Sequence, residues 1–578
     1  MAYYHLLVTA LLCSRLAGVQ ATQLSPDAFV KKGFDFIVIG GGTTGLALAT
    51  RISDNPSLTV GIIEAGQFLI DNNITIPYPN YDWNLVTEPD ARLNNRQMPL
   101  RRGRILGGTS AINGMVHSRG SKTEYGGLEQ LNNPGWNFNF IQSGIKKSEN
   151  WTPPRQFEQT QFFANNDPQN HGTKGVIHTS VYPFYGDVVH PFFAASQKLG
   201  IAVNRAMSSG DSTGIWTLNG GIDQKNVSRS YSANVTKIAT QTKSGRIVAT
   251  GVQFVSQRQA YTALVKGEVI ISAGAIQTPQ ILELSGIGNK TLLELLSIPV
   301  KVDLPGVGEN FHDHFGAIPT FQTLSNFTGQ DVLADPNGAE QQLEQYLTNR
   351  TGMYTSLATT LAFLPVQDFV SSAVAAQLKA DLDGALKSQP AHFKQSFDLM
   401  RSWLDDPSVS QVEIVLFPSL VTGLPEPGKR YYSVAVFLQH PWSRGSVIHI
   451  KSANPLAAPA IKGNYLGAPG DFDAKLLIEA IHWVLKVTQT EPLKSATIAV
   501  PNPSLNATDA ELRAFIAAGG STEWHFLGMA SMLPRSQRGV VDAGRFSAVY
   551  GPKALFLVGF STVGIGSLIN GFSVSGPF

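Results

Sequence analysis

Two stretches hold residues whose types and spacing could do chemistry. "STEWHFLGMASM" (521–532) sets His525 between a tryptophan and a run of small residues. An imidazole titrates near neutrality, so a histidine beside a reacting hydroxyl could take its proton. The same residue could equally be a packed core histidine. A base needs a substrate and usually a cofactor, and the second stretch offers a place for one. "GFDFIVIGGGTTGLALATRISDNPSLTVGIIEAG" (33–66) reads as strand, glycine turn, helix and second strand, closing on Glu64. A glycine pattern in that context is a dinucleotide-binding signal, where the bare pattern would be weak.

Each position in that signal has a physical reason. Gly40 permits the tight turn, Gly42 lets the backbone approach a pyrophosphate, and Gly45 allows close helix–strand packing. Thr43 and Thr44 open the helix whose N-terminal N–H groups face the phosphates. Glu64, at the end of the second strand, is placed to accept hydrogen bonds from an adenosine ribose.

The elements that must position these residues follow from periodicity and punctuation. Strand-like runs recur at "EVIISAGA" (268–275), "EIVLFPSL" (413–420), "YYSVAVFLQ" (431–439) and "GSVIHI" (445–450). Helix-like stretches include 373–387 and 471–488, and "LFLVGFS" (555–561) reads as one more buried strand. Strands of this kind near both ends of the chain imply a sheet assembled from distant segments. No repeat of roughly 20–50 residues is present.

The bulk numbers exclude several classes. The chain has 578 residues, too many for one simple core, so two domains or one composite domain is expected. At 43% hydrophobic, 15% charged and net charge +2, it is globular, with no basic stripe for nucleic acid. No apolar run past the N-terminus reaches the roughly 20 residues that span a bilayer. The opening "MAYYHLLVTALLCSRLAGVQATQ" reads as a secretory signal cleaved after Ala21, although Arg15 interrupts its apolar core and no Lys or Arg precedes it. The only cysteine, Cys13, lies inside that segment, so the mature chain would carry no disulfide. Asn-X-Ser/Thr sequons stand at Asn73, Asn150, Asn226, Asn234, Asn289, Asn326, Asn349 and Asn506, an excess that points to a secreted or secretory-pathway glycoprotein.

"RRGRILGGTSAINGMVHSRG" (101–120), taken with the opening fingerprint, resembles the glucose–methanol–choline (GMC) family of FAD-dependent oxidoreductases. "ISAGAIQTPQILELSGIG" (271–288), "LPGVGENFHDH" (304–314) and "HPWSRGSVIHI" (440–450) resemble three further stretches of that family. The likeness covers roughly residues 33–570, in the manner of fungal secreted and secondary-metabolite members such as aryl-alcohol oxidases, patulin synthase and versicolorin B synthase.

The resemblance implies an α/β fold, with a Rossmann-like FAD-binding domain interleaved with an α+β substrate-binding domain. The expected division is a signal peptide (1–21), FAD-binding segments (33–125, 220–320 and 515–578) and substrate segments (126–219 and 321–514). Gly40, Gly42, Gly45 and Glu64 would hold the ADP half of FAD. Gly107, Gly108, Thr109 and Ser110 would contact phosphate and ribityl groups, with Asn113 and Gly114 beside the isoalloxazine. Ile112 stands where some members attach FAD covalently through a histidine, so non-covalent FAD is expected. His117 stands where the family usually has an aromatic residue.

The resemblance also makes His525 the base that takes a hydroxyl proton while a hydride moves from carbon to flavin, with Asn570 as its partner. O2 or another electron acceptor would then reoxidise the cofactor, and oligomeric state is left open. A metal reading of "NFHDHF" (310–315) through His312, Asp313 and His314 lacks a completing Cys/His cluster, so no metal site is expected.

Three departures from the family pattern concern the cofactor. The chain runs from "SRSYSAN" almost directly into "VTKI" (228–238), Gly559 stands where the family has an acid, and the sequence stops at "NGFSVSGPF". The expected activity is FAD-dependent oxidation of an alcohol, with an aromatic or polyketide-derived substrate as the expected kind. The alternatives are a non-redox cyclase or dehydratase with structural FAD, or an impaired non-catalytic homologue.

Overall fold

The computed structural model describes residues 23–541 and 572–573, apart from 67–80, 176, 223–236, 244–245, 326–327, 330–335, 350, 357, 424–425, 427 and 446–447. Asn570, Gly559, the 555–561 run, and the sequons at Asn73, Asn226, Asn234 and Asn326 therefore lie outside the described residues.

Two sheets organise the described chain. The first has six strands in the order Val60–Ile63, Phe34–Ile39, Gln259–Ile271, Arg246–Ser256 and Lys237–Lys243, with Phe572–Ser573 antiparallel to the end of Gln259–Ile271. Phe34–Ile39 is parallel to both of its neighbours, and Ile37, Val38 and Ile39 are at most 1% exposed. Such a strand must be apolar on both faces, which is why "FDFIVIG" reads as a continuous β-branched run. Burying each of these aliphatic side chains contributes roughly 1.5–3 kcal/mol. The helix Thr43–Ser53 follows directly from the glycine turn and buries Leu48 and Ala49 against this sheet.

The second sheet has eight strands. Its main path runs Thr497–Asn502, Thr320–Thr323, Tyr431–Leu438, Val412–Phe417, Thr360–Leu364 and Gly214–Thr217. Phe315–Ala317 pairs with both Tyr431–Leu438 and the short strand Ser521–Thr522. Side chains alternate across a strand, and here the alternation separates two apolar clusters. Val412, Ile414 and Leu416 join the large core that contains the helix Phe472–Thr488. Val415, Phe437, Trp216 and Phe363 face the other way. The sheet is thus a wall between a helical core and the opposite face, where the site lies.

The strands expected at 413–420 and 431–439 are present at Val412–Phe417 and Tyr431–Leu438. The two expected helices are Ser372–Leu386 and Phe472–Thr488. "EVIISAGA" is corrected, because its strand ends at Ile271 and a helix begins at Gly274. Gly274 has φ 82°, a left-handed turn that stops the strand and starts the helix. Among the described residues of the run 445–450, Ile448–His449 is strand. No helix among the described residues is long and apolar enough to cross a membrane.

Candidate active site

The glycine turn is built by close backbone approach. A Cβ on Gly45 would lie 1.9 Å from the Gly40 carbonyl oxygen, so the helix can meet the strand only with glycine there. Gly42 forms a bridge with Gly107, and the Gly107 N–H donates to the Gly41 carbonyl at 2.8 Å. Gly108 has φ 55°, and a Cβ on it would lie 2.8 Å from the Gly42 Cα. The two glycine loops, well separated in sequence, therefore touch through bare backbone.

Glu64 follows the second strand and lies against this turn. Its Oε2 accepts the Gly41 N–H at 2.7 Å and its Oε1 accepts the Gly66 N–H at 2.8 Å. Burial pushes its carboxyl up to about 7, against the lowering effect of those N–H groups.

His525 is held by a pairing between two distant parts of the chain. Phe315 is in register with Thr522, which sets His314 opposite Glu523, and the Glu523 N–H donates to the His314 carbonyl at 2.9 Å. Further along the pairing resumes, with Leu527 and His312 exchanging N–H···O bonds at 3.0 and 3.1 Å. Between these points Trp524 takes φ 62° and the segment bulges. Asp313 fills the bulge: its Oδ1 accepts the His525 N–H at 3.0 Å, and its Oδ2 accepts the Tyr465 hydroxyl at 2.9 Å and the Thr522 hydroxyl. Arg102 closes the outer side. Its guanidinium donates to the Trp524 carbonyl at 2.5 Å and stacks over the Phe526 ring, 4.1 Å from the centroid.

Three polar side chains converge at the bulge. The Nδ1 of His525 lies 3.1 Å from Glu523 Oε2 and 3.3 Å from the Nδ1 of His314, and His314 Nδ1 lies 3.4 Å from the same carboxylate oxygen. Burial would raise the Glu523 carboxyl, but the adjacent His525 and His314 imidazoles outweigh it and hold it well below the usual carboxylate range. Burial lowers His314 despite that carboxylate. Glu413, fully buried on the strand Val412–Phe417, is pushed well above the carboxylate range by desolvation and by the Glu523 charge. Its Oε2 accepts the Gln439 amide at 2.7 Å, while its Oε1 has no hydrogen-bond partner.

A single cavity of about 1160 Å³ joins the two halves of the site. Gly40, Gly42, Thr43, Thr44 and Glu64 border it at one end, and Gly108, Thr109, Ile112, Asn113 and Gly114 border its middle. His525, Glu523 and Glu413 border it beside the apolar wall of Val415, Phe417 and Phe437. Ligand pockets run roughly 300–1,000 Å³, so this one can hold a dinucleotide and more. An extended cleft with bare backbone N–H groups and a carboxylate at the end of the second strand fits FAD.

Some expected contributors stand apart from the cavity. Gly45 packs helix on strand, Gly107 is buried behind Gly108, and the exposed Ser110 donates its hydroxyl to the Gly107 carbonyl at 2.6 Å. His117 does not border the cavity, and burial pushes its imidazole down to about 4, so it is neutral. Asn570 lies outside the described residues. His312, Asp313 and His314 do not converge on one point. The His312 Nδ1 is 2.8 Å from the Asn310 carbonyl, and Asp313 is spent on the bulge. Among the described residues, the group whose donor atoms could hold a metal is instead His314, Glu523 and His525. Spacing could not reveal it, because its members come from two strands far apart in the sequence.

The comparisons agree with this geometry. The GMC oxidoreductase family pattern matches residues 34–316 and again 441–566. The chain is 33% identical over 575 residues to the GMC oxidoreductase family protein Mala s 12 of Malassezia sympodialis, covering 92% of this chain and 89% of that protein. It is 31% identical over 608 residues to a dehydrogenase of Armillaria gallica, covering 96% and 94%. Among solved structures it is similar to an FAD-dependent oxidoreductase from Chaetomium thermophilum, with TM-score 0.80, 26% identity, and 90% and 93% of the two chains covered. A fungal aryl-alcohol oxidase shares the fold, with TM-score 0.76, 24% identity, and 89% and 92% covered. The protein belongs to the GMC oxidoreductase family, has its interleaved FAD-binding and substrate-binding fold, and is an FAD-dependent oxidoreductase.

Proposed function

We propose that this enzyme oxidises an apolar, aromatic or polyketide-derived alcohol, with His525 as the base. The observation that carries this reading is that His525 borders the same cavity as the glycine fingerprint, with its Nδ1 3.1 Å from the Glu523 carboxylate. FAD, when bound, supplies the hydride acceptor. His525 Nε2 takes the hydroxyl proton, and the imidazolium so formed is stabilised by the Glu523 carboxylate, which its imidazole neighbours hold in the ionised form. His314 shares a hydrogen with His525 through their Nδ1 atoms and fixes the ring's orientation. Glu413, whose carboxyl burial raises, has an unpartnered oxygen and borders the cavity, suited to orient a substrate oxygen. Val415, Phe417 and Phe437 give the rest of the substrate an apolar wall.

Glu64 would hold the ribose, Gly40, Gly42, Thr43, Thr44, Gly108 and Thr109 the pyrophosphate side, and Asn113 with Gly114 the ring system. Ile112 offers no nucleophile, so the cofactor is held without a covalent bond. The relative named a dehydrogenase supports alcohol oxidation as the class of reaction. The test is anaerobic mixing of the purified flavoprotein with an aromatic alcohol such as benzyl alcohol or a longer homologue. Bleaching in the parent and its loss in His525→Ala supports the proposal; equal turnover in both overturns it.

Export to the secretory pathway is proposed alongside, supported by the apolar opening segment and by sequons at Asn349 and Asn506 on exposed positions. Asn150 and Asn289 are half-buried, and the Asn289 side chain caps a helix by accepting from Thr291 and Leu292. An endoglycosidase-sensitive mass on the protein from its natural source supports export, and an unmodified chain retaining Met1 overturns it.

A further inference from the structure

The three donor atoms around the bulge form a nearly equilateral triangle, with edges of 3.1, 3.3 and 3.4 Å. A tetrahedral zinc ion with bonds of about 2.0–2.1 Å to nitrogen and oxygen requires ligand–ligand edges of about 3.3 Å. The match is one of position and also of chemistry: two imidazole nitrogens and one carboxylate oxygen are a donor set for zinc, whereas calcium or magnesium would require an oxygen-rich shell. Glu523 Oε2 is a buried atom flanked by the two Nδ1 atoms, at 3.1 Å from His525 and 3.4 Å from His314. The contrast with Glu149 is informative. That buried carboxylate is saturated by Arg119, His171, Thr179 and the Gly172 N–H, leaving no vertex for an ion.

We propose that His314, Glu523 and His525 form a binding site for a zinc-class divalent cation, whose fourth coordination position opens into the substrate cavity. The His525 and Glu523 side chains are 14% and 17% exposed and border that cavity, which supplies an entry path and room for a water. The supporting shell is in place: Asp313 holds the His525 backbone, and the Glu523–His314 backbone bond holds the other two ligands in register. On binding, the ring that carried its hydrogen on Nδ1 gives it up and takes one on Nε2, so both imidazoles stay neutral and present an Nδ1 lone pair to the metal. An ion on His525 Nδ1 withdraws electrons from the ring and occupies the carboxylate that would stabilise its protonated form. Zinc is therefore an inhibitor of alcohol oxidation, a consequence that rests on His525 being the base; the binding itself does not.

The experiment is titration of the chelator-stripped flavoprotein with zinc chloride, read by calorimetry and by zinc X-ray absorption. One zinc per chain, ligated by two imidazoles and a carboxylate and weakened about tenfold or more in Glu523→Gln and His314→Ala, is the expected result. Absence of saturable binding overturns the proposal, as does one-site binding that survives both variants or shows another donor set. Flavin absorbance and melting temperature report whether each variant is folded. If neither is, the donor set in the parent protein still decides. Turnover under the same zinc concentrations separates the two readings. Binding with chelator-reversible inhibition supports both, while binding with undiminished turnover supports the metal site and overturns His525 as the base.

Discussion

Asp313 Oδ1 accepts the backbone N–H of His525 at 3.0 Å, so a buried carboxylate from one segment sets the position of the proposed base on another. The same carboxylate also takes hydroxyl donors from Thr522 and Tyr465. Asp313→Asn replaces one of two accepting oxygens by an NH2, which then faces the His525 N–H on one side or the Tyr465 and Thr522 hydroxyls on the other. It is expected to cost roughly 1–3 kcal/mol of stability, as a broken buried network does. Turnover should fall as well. Thermal melts and kinetics on the purified variant test this, and an unchanged melting temperature would mean the bulge is held by something else.

The base and its carboxylate should be separable by kinetics. His525→Ala is expected to lower kcat by about 10²–10⁴-fold, the usual share of a general base, with FAD content unchanged. Glu523→Gln should give a smaller fall, because the base remains and only its charged form is less stabilised. A loss confined to KM in either variant would assign these residues to binding.

Gly45 tests the close approach on which the cofactor turn depends. Gly45→Ala places a Cβ 1.9 Å from the Gly40 carbonyl oxygen, and backbone cannot yield as a side chain can. Overpacking of this kind costs about 1–3 kcal/mol, so FAD affinity should fall on the order of tenfold or more. The ratio of flavin to protein absorbance in the purified variant reads the outcome.

Glu64 gives a pH dependence with two opposite signs. In the cofactor-free protein, burial raises its carboxyl to about 7, above the value of 4.5 for an unfolded chain. The native state then binds more protons than the unfolded state between these values, so apoprotein stability falls as pH rises through that window. FAD binding should do the reverse, strengthening as pH rises through about 7, because ribose hydroxyls donate to the ionised carboxylate. Glu64→Gln should flatten both profiles, which apoprotein melts and flavin titrations from about pH 5 to 8 would show.

His449 adds a second pH-dependent contribution, at higher pH. Burial alone would lower its imidazole, but Glu283 at 2.5 Å and Glu309 at 3.4 Å outweigh burial and raise it to about 9. Its folded value exceeds the unfolded 6.5, so the stabilisation is complete below 6.5 and is lost as pH rises through 9. The melting temperature of the parent should drop by about 1 °C for each kcal/mol lost across that window. His449→Gln should remove the pH-dependent part of the drop.

What the sequence determined by itself is local. The strand–turn–helix–strand run at 33–66 carries its own instructions: a β-branched run that must be buried on both faces, glycines where backbone meets backbone, and an acid at the strand end. Likewise, the amphipathic or apolar periods at 372–386, 412–417, 431–438 and 472–488 suffice to mark those elements. Their neighbours in sequence supply the interactions that define them. "EVIISAGA" shows the limit of such reading, since a positive-φ glycine opens a helix where hydrophobicity alone would have extended the strand.

The active site was legible only in part. His525 could be picked out, and the family resemblance gave it a role, but its surroundings could not be read. Glu523 stands close by in the chain and looks like an ordinary surface acid in the sequence. The register of Phe315 with Thr522 is what turns it, with His314, into a buried cluster. Glu413 sits in a plain strand pattern, and its role depends on which face of the sheet meets the cavity. These are contacts between segments far apart along the chain. Tertiary structure alone decides them, because strand pairing, burial and the pKa shifts that follow are properties of neighbours in space.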